Sequence, residues 1–333
     1  MLGSQSLAQY DCYLLRYRQG FLMCCIDLKL KLKKVVKDGN SLTWGPCLNL
    51  KNYLEIIKGT LMKIISFNVN SIRIRLHQIK AVIDKHQPEI IAIQETKVQD
   101  ADFPKQAIEA LGYHAVWFGQ KTHYGVAILS RNQPDDVQYG FETDGEDTQR
   151  RLIAAGYPLA NGKILRVING YFPQGESRDH PVKFQNKARF YDDLSSHLTS
   201  RENPDEWLLV VGDVNVAPED KDIGIGENNA KRWLRTGKCS FLPEERQWLG
   251  RFYDWGLVDT FRLCHPDIAD QFSWFDYRSR GFEAAPPRGL RIDLIMASQA
   301  LAEHCVGAGI DYDVRAMEKP SDHAPIWAEF KLA

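Results

Sequence analysis

Residues 207–215 read Trp207-Leu-Leu-Val-Val-Gly-Asp213-Val-Asn215, a fully apolar strand that ends in an acid and an amide two positions apart. A spacing of two puts Asp213 and Asn215 on one face of an extended chain. Taken alone, such an ending also describes an Asx turn, in which Asp and Asn bond their own backbone. Repetition along the chain shifts the weight towards a site. Asn68 closes Ile64-Ile-Ser-Phe-Asn68, Glu95 closes Glu89-Ile-Ile-Ala-Ile-Gln-Glu95, and Asp293 interrupts the apolar run Arg291-Ile-Asp-Leu-Ile-Met296. Near the C-terminus, Pro320-Ser-Asp322-His323-Ala-Pro-Ile326 sets an acid beside an imidazole between two prolines. Within one strand those two side chains would point to opposite faces. The prolines instead imply a loop, from which both can address one cavity.

Outward from these endings, strands and helices alternate. Apolar residues at Ile72, Leu76, Ile79 and Ile83 repeat with helical spacing, and Pro88 is the stop signal. Further strands are predicted over 114–118, 125–130, 152–157, 164–171, 271–277, 290–297 and 324–330, with helices over 187–198 and 244–255 between some of them. Many strands with fewer helices predict an α/β (α+β) domain, two sheets packed face to face with helices outside.

Composition narrows the classes. With 333 residues, 44% of them apolar, the chain can bury a substantial core. No apolar run approaches the roughly 18 residues of a membrane span, so no membrane partner is expected. Seven cysteines without CxxC spacing suggest neither a disulfide framework nor a zinc site, and fit a reducing, cytoplasmic setting. The formal net charge is −1, yet residues 1–61 carry nine Lys and Arg against four Asp and Glu, which leaves the remainder acidic. An acidic body speaks against a sequence-independent DNA-coating protein, though an enzyme can hold nucleic acid on one local basic face. Residues 1–61 also hold four of the cysteines and show no clear succession of paired elements. They read as an N-terminal extension, either disordered or the product of a mis-assigned start with Met62 as the true initiator.

A lone carboxylate buried in a strand costs several kcal/mol unless it is paired or holds a metal. Asp293 therefore needs a partner, and His323 is an attractive one, with a salt bridge to Arg291 as the alternative. An Asp accepting from the imidazole would fix its tautomer and keep it protonated. Together Glu95, Asp213, Asp293, Asp322, Asn68, Asn215 and His323 make an oxygen-rich set. Such ligands suit Mg²⁺ or Mn²⁺ rather than zinc, and point to phosphoryl chemistry.

From Met62 onward the chain resembles the exonuclease III family of the endonuclease/exonuclease/phosphatase superfamily. The matching stretches run in order: SFNVNSIR at 66–73, QETKV at 94–98, HYGVAILS at 123–130, NGYFPQGESRDHP at 169–181, GDVNVAP at 212–218, KRWLRTGKCSFLPEER at 231–246, FSWFDYRSRGF at 272–282, GLRIDLIMASQ at 289–299 and KPSDHAPIW at 319–327. The resemblance implies a four-layered sandwich in which residues 62–333 form one catalytic domain. It implies Mg²⁺-dependent hydrolysis of DNA phosphodiesters by a monomer: incision beside abasic sites, 3′ to 5′ digestion of duplex ends, and removal of blocked 3′ termini. Residue by residue, Glu95 resembles the principal metal ligand with Asn68 beside it, and Asp322 a further metal-side acid. Asp213 resembles the residue that orients the attacking water. Asn215, His323 and Tyr171 resemble the phosphate contacts, with Asp293 orienting His323. For duplex DNA, Arg150, Lys231 and Arg232 are candidate backbone contacts. Trp274, Phe275, Leu290 and Ile292 fall where the family keeps its abasic-sugar pocket, although Leu290 and Ile292 read equally as core. The same superfamily holds secreted deoxyribonucleases, inositol-phosphate phosphatases and sphingomyelinases. Their signal peptide, disulfides or exposed apolar loops are not evident here.

Overall fold

The computed structural model describes residues 13–17, 20–27, 31–38, 41–44, 48–49 and 60–332. The chain divides into two compact units, residues 1–60 with 332–333, and residues 61–331. In the first, β1 (Tyr13–Tyr17), β2 (Gly20–Asp27), β3 (Lys31–Asp38), β4 (Ser41–Trp44) and β5 (Leu48–Asn49) pair antiparallel in the order β1-β2-β3-β4, with β5 also on β3. The sequence alone shows no clear succession of paired elements there.

The second unit opens with β6 (Thr60–Asn68), α1 (Ile72–His86) and β7 (Ile90–Gln94). It continues through α2 (Lys105–Glu109), β8 (His114–Phe118), β9 (Val126–Ser130), β10 (Asp136–Tyr139), β11 (Leu152–Pro158) and β12 (Ile164–Tyr171). Next come α3 (Lys183–Arg201), β13 (Leu208–Asp213), α4 (Glu227–Arg235), α5 (Pro243–Trp255), β14 (Leu257–Asp259) and α6 (Thr260–Cys264). The last elements are β15 (Asp293–Ser298), α7 (Gln299–Ala302), β16 (Cys305–Ile310), α8 (Tyr312–Arg315) and β17 (Ile326–Leu332). They form two six-stranded mixed sheets, β16-β17-β6-β7-β9-β8 and β10-β11-β12-β13-β15-β14.

Strands β7, β9, β13 and β15 are buried at every position, so both faces of each sheet centre are covered. Alternation decides what covers them. Ile91 and Ile93 pack with Ile79, Val82 and Ile83 of α1. On the opposite face of β7, Gln94 Nε2 donates to Asn169 Oδ1 of the other sheet at 2.8 Å. Asn169 Nδ2 in turn donates to the carbonyls of Ile93 and Ala127, each at 2.9 Å. In the second sheet Leu208, Val210, Leu294 and Met296 pack with Phe190, Tyr191 and Leu194 of α3 and with Leu249 and Phe252 of α5. The result is the expected four-layered sandwich. Each fully buried Leu, Ile or Phe in it contributes about 1.5–3 kcal/mol relative to exposure.

The unforeseen strands are short edges. β10, β14 and β16 lie at sheet margins, where one neighbour suffices and no long apolar run is required. The strand expected over 271–277 is a loop that touches its neighbours through isolated bridges of Trp274 to Leu290 and to His323. The strand expected from Leu290 begins only at Asp293. Leu290 N bonds Trp274 O and Arg291 N bonds Asp222 O, and Ile292 N bonds Ser273 Oγ, so these residues are taken before the ladder with β13 starts. Glycine is required at 212, where φ is +140° and a Cβ would stand 1.9 Å from Gly170 O in the neighbouring strand. That close approach carries the chain into Asp213.

Candidate active site

The polar strand endings meet at one end of the two sheets. β6 and β7 run parallel with Asn68 opposite Gln94, and β12 and β13 run parallel with Tyr171 opposite Asp213. β15 runs antiparallel to β13, so its first residue, Asp293, lies opposite the last of β13, Asp213. Asn68 Nδ2 donates to Asp213 Oδ2 at 3.0 Å and ties the two sheets together here. His323 continues the chain of contacts, with Nε2 3.7 Å from Asp213 Oδ2 and Nδ1 2.8 Å from Asp293 Oδ2. Arg291 does not compete for Asp293. It is buried and paired with Asp222 at 2.6 Å and Asp259 at 2.7 Å.

Two serines hold this arrangement. Ser273 Oγ accepts from the backbone of Ile292 and Asp293 at 3.1 and 3.0 Å. Ser321 Oγ donates to Asn68 O at 2.7 Å and accepts from His323 N at 3.2 Å. The proline-flanked stretch is thus a loop, as its sequence implied, and it is fastened to the end of β6.

Burial sets the charges. It lifts the Asp213 carboxyl to about 7, against the opposing pull of the His323 imidazolium. Burial alone would depress His323, but Asp293 and then Asp213 outweigh it and raise the imidazole to about 10. At neutral pH the ring is therefore protonated on both nitrogens, and Nδ1–H donates to Asp293. Asp322 is buried too, yet His323 and hydrogen bonds from Asn70 (2.9 Å) and Trp274 (3.1 Å) keep it below the usual carboxylate range. Burial, then Glu95, pushes the Tyr171 hydroxyl well above its ordinary value, so it remains a phenol donor.

Glu95 and Asn215 both stand just beyond their strands with left-handed backbones, φ +59° and +55°. Such conformations cost on the order of 1–3 kcal/mol and persist where surrounding bonds over-determine them. For Glu95 these are Ser71 N to Glu95 O at 2.8 Å and the Lys97 ammonium 2.9 Å from Oε1. For Asn215 they are its N–H to Asp213 Oδ1 at 3.1 Å and its amide to Phe172 O at 3.0 Å.

Of the sequence candidates, the structure brings Asn68, Tyr171, Asp213, Asn215, Asp293, Asp322 and His323 to this end of the sheets, and Glu95 follows directly on β7. Among the described residues, the ligand atoms of Asp213, Asp293 and His323 converge within 4.8 Å of one another. His323 Nδ1 is hydrogen-bonded to Asp293, while Nε2 stands 3.7 Å from Asp213 Oδ2 as an ion-pair contact, so the trio is a charge-linked relay. Glu95 lies outside it, with Oε1 2.9 Å from the Lys97 ammonium. The donor set is all oxygen apart from the imidazole and fits a hard divalent cation.

The proposed substrate residues divide. Trp274 borders the site through its bond to Asp322. Phe275, Leu290 and Ile292 are buried, the first against Phe282 and Tyr312, the others with Ala217 and Phe241. Leu290 and Ile292 share their cluster with the partly buried Trp274, so they lie behind the residue that borders the site. Arg150 pairs with Asp100 and lies over Phe118. Lys231 and Arg232 sit on the exposed helix α4, bonded to Glu227 and Asn229.

Sequence reasoning overlooked Asn70 and Lys97, each two residues after a recognised site residue. Asn70 donates to Asp322 and accepts from Lys97 Nζ at 2.6 Å. The spacing itself was the available signal. It also missed a groove of about 600 Å³ lined by Asn70, Arg73, Arg75, Lys97 and Lys121. Arg151 is nearly buried, its guanidinium stacked over Tyr124 and Tyr171 and donating to Tyr171 O at 3.0 Å.

Known proteins share this frame. The chain is 57% identical over 270 residues to exodeoxyribonuclease III of Haemophilus influenzae, covering 81% of this chain and all of that one. Among solved structures, a 3′ phosphatase from Neisseria bound to product DNA hairpin superposes with TM-score 0.72 at 39% identity, covering 81% of this chain and 99% of that one. An AP endonuclease from Archaeoglobus fulgidus superposes with TM-score 0.73 at 36% identity, covering 81% and 100%. The sequence profile of the Endonuclease/Exonuclease/phosphatase family matches residues 65–323, and the chain belongs to that family.

Proposed function

We propose that residues 62–333 act as one catalytic domain that hydrolyses DNA phosphodiesters in repair, as a monomer in the cytoplasm. The substrates are double-stranded DNA with abasic sites, which it incises, and 3′ ends, which it digests 3′ to 5′ or clears of blocking phosphate groups. The observation that carries the reading is the Asn68, Asp213, His323, Asp293 relay, which sets an imidazolium beside a carboxylate lifted to neutrality at the mouth of two sheets.

In this reading Asp213 orients the attacking water and receives its proton, a role its raised affinity for protons suits. His323, held and charged by Asp293, supports a non-bridging phosphate oxygen, joined by the second N–H of the Asn215 amide and the Tyr171 hydroxyl. Glu95 is the principal holder of Mg²⁺ or Mn²⁺, with Asn68, Asp322, Asp213 and Asn215 around it. When bound, the cation supplies charge stabilisation for the departing 3′ oxygen. Trp274 borders the space for a baseless sugar, and Arg150, Lys231 and Arg232 meet the DNA backbone.

The test is a synthetic duplex carrying one abasic analogue, incubated with purified protein in Mg²⁺, in EDTA, and with Asp213→Asn. Incision in Mg²⁺, none in EDTA, and a roughly 10²–10⁴-fold slower Asp213→Asn variant are expected. A duplex left intact by the wild-type protein in Mg²⁺ overturns the reading.

A further inference from the structure

Beneath the relay lies a buried ion pair that the reaction itself does not use. Lys187 on α3 and Glu245 on α5 are fully buried, with Nζ 2.5 Å from Oε1. A buried pair of this kind is weak evidence for stability, since apolar replacements of similar volume are often neutral. Its bonds suggest a different purpose. Lys187 Nζ spends its other two protons on the carbonyls of Asn215 at 2.9 Å and Gln174 at 3.3 Å. Glu245 Oε2 accepts from the backbone of Ser240 and Leu242, each at 2.8 Å. One turn along α3, the Tyr191 hydroxyl donates to Val214 O at 2.7 Å.

Two residues on one helix face therefore grip consecutive carbonyls, 214 and 215, of the segment that follows Asp213. That segment contains the left-handed Asn215, whose N–H bonds Asp213 Oδ1 and whose amide bonds Phe172 O. With its carbonyl held by Lys187, Asn215 is fixed at three points.

We propose that Lys187 and Tyr191 are positioning residues which lock the backbone of Val214 and Asn215, so that the Asn215 amide and the Asp213 carboxylate keep their reactive orientation. The inference rests on the reaction proposed above. Neither residue touches substrate. Their effect falls on the rate of the bound complex, because a displaced Asn215 costs orientation at the reacting phosphate while leaving the DNA-contacting surface in place.

The experiment compares wild type with Lys187→Met/Glu245→Gln, which removes both charges together and leaves an acceptor for Ser240 and Leu242. Steady-state kinetics on the abasic duplex are read beside thermal unfolding. A folded double variant with kcat lowered about 10- to 100-fold and KM within about threefold of wild type is expected. A folded double variant with wild-type kcat overturns the proposal, since a merely structural pair would restore activity along with stability. If the double variant does not fold, Tyr191→Phe carries the test. It deletes one hydroxyl, and kcat should fall about three- to tenfold at unchanged KM; unchanged kcat overturns the clamp. Inactive wild-type protein would instead reject the reaction, so the two failures are distinct.

Discussion

Two histidine–aspartate pairs, one fully and one partly buried, stand among the described residues at nearly the same distance. His323 Nδ1 lies 2.8 Å from Asp293 Oδ2, and His86 Nε2 lies 2.7 Å from Asp311 Oδ2. Distance does not separate them; the remaining atoms do. Asp311 is saturated, accepting from the N–H groups of Asp313 and Val314 as the N-cap of α8 and pairing with Lys85 at 2.8 Å. It staples the last turn of α1 to α8. Among the described residues, Asp293 keeps Oδ1 without a hydrogen-bond partner, and its histidine turns its other nitrogen towards a second acid, Asp213. A His–Asp pair becomes a candidate for chemistry when its second nitrogen faces further reactive groups, and a fastening when every other valence is spent on backbone.

The comparison breaks most sharply by mutation. His323→Gln keeps polarity but cannot carry the charge, and should lower kcat/KM on abasic duplex by about 10²–10³-fold, with a lower unfolding temperature as well because buried Asp293 loses its charged partner. His86→Gln should leave kcat/KM unchanged while lowering that temperature. If both variants lose activity alike, the distinction between the pairs is wrong.

Acidity sharpens it next. With Asp213 lifted to about 7 and His323 to about 10, kcat should rise as pH climbs through about 7 and fall as it passes about 10. A profile that is flat between pH 6 and 8 would remove Asp213 from the role of proton acceptor. The two pairs should also respond to pH with opposite sign in stability. His323 is raised above its ordinary 6.5, so its contribution is present below that value and is lost as pH rises through about 10. Asp311 is buried, which alone would raise it, but His86 and Lys85 hold it well below its ordinary 3.8. Its contribution is present above 3.8 and is lost as pH falls.

The smallest effect concerns the staple alone. Asp311→Asn keeps an acceptor for the α8 cap and loses the ion pairs, and should cost about 1–3 kcal/mol by chemical denaturation at neutral pH, with kcat unchanged. The cost should shrink towards acid, where the wild-type carboxylate also loses its charge.

The two pairs differ in how far the sequence revealed them. Asp293 announces itself as a charge within Ile-Asp-Leu-Ile-Met, where burial demands a partner, and His323 lies in a loop too rich in proline to be a strand. Asp311 carries only the ordinary signal of a helix cap, and His86 only that of a basic residue in a last helical turn. Nothing local joins them across 225 positions. The same limit hid Lys187, which reads as one of several polar residues on an amphipathic helix until α5 brings Glu245 against it. It also left Leu290 and Ile292 reading equally as core and as pocket wall, since burial depends on what lies opposite.

What the sequence determined is what one-dimensional order can carry: apolar strands ending in acids and amides, the helix stopped by Pro88, and a family pattern running from Met62 to the last strand. These follow from backbone periodicity and from the cost of burying charge, both of which act locally. Tertiary structure alone decided which carboxylate shares a proton with which imidazole, which arginine is buried and which exposed, and which carbonyls Lys187 holds. Those outcomes turn on separations of a few ångströms between residues far apart in the chain, and electrostatic strength in a low-dielectric interior depends on such separations more steeply than on residue type.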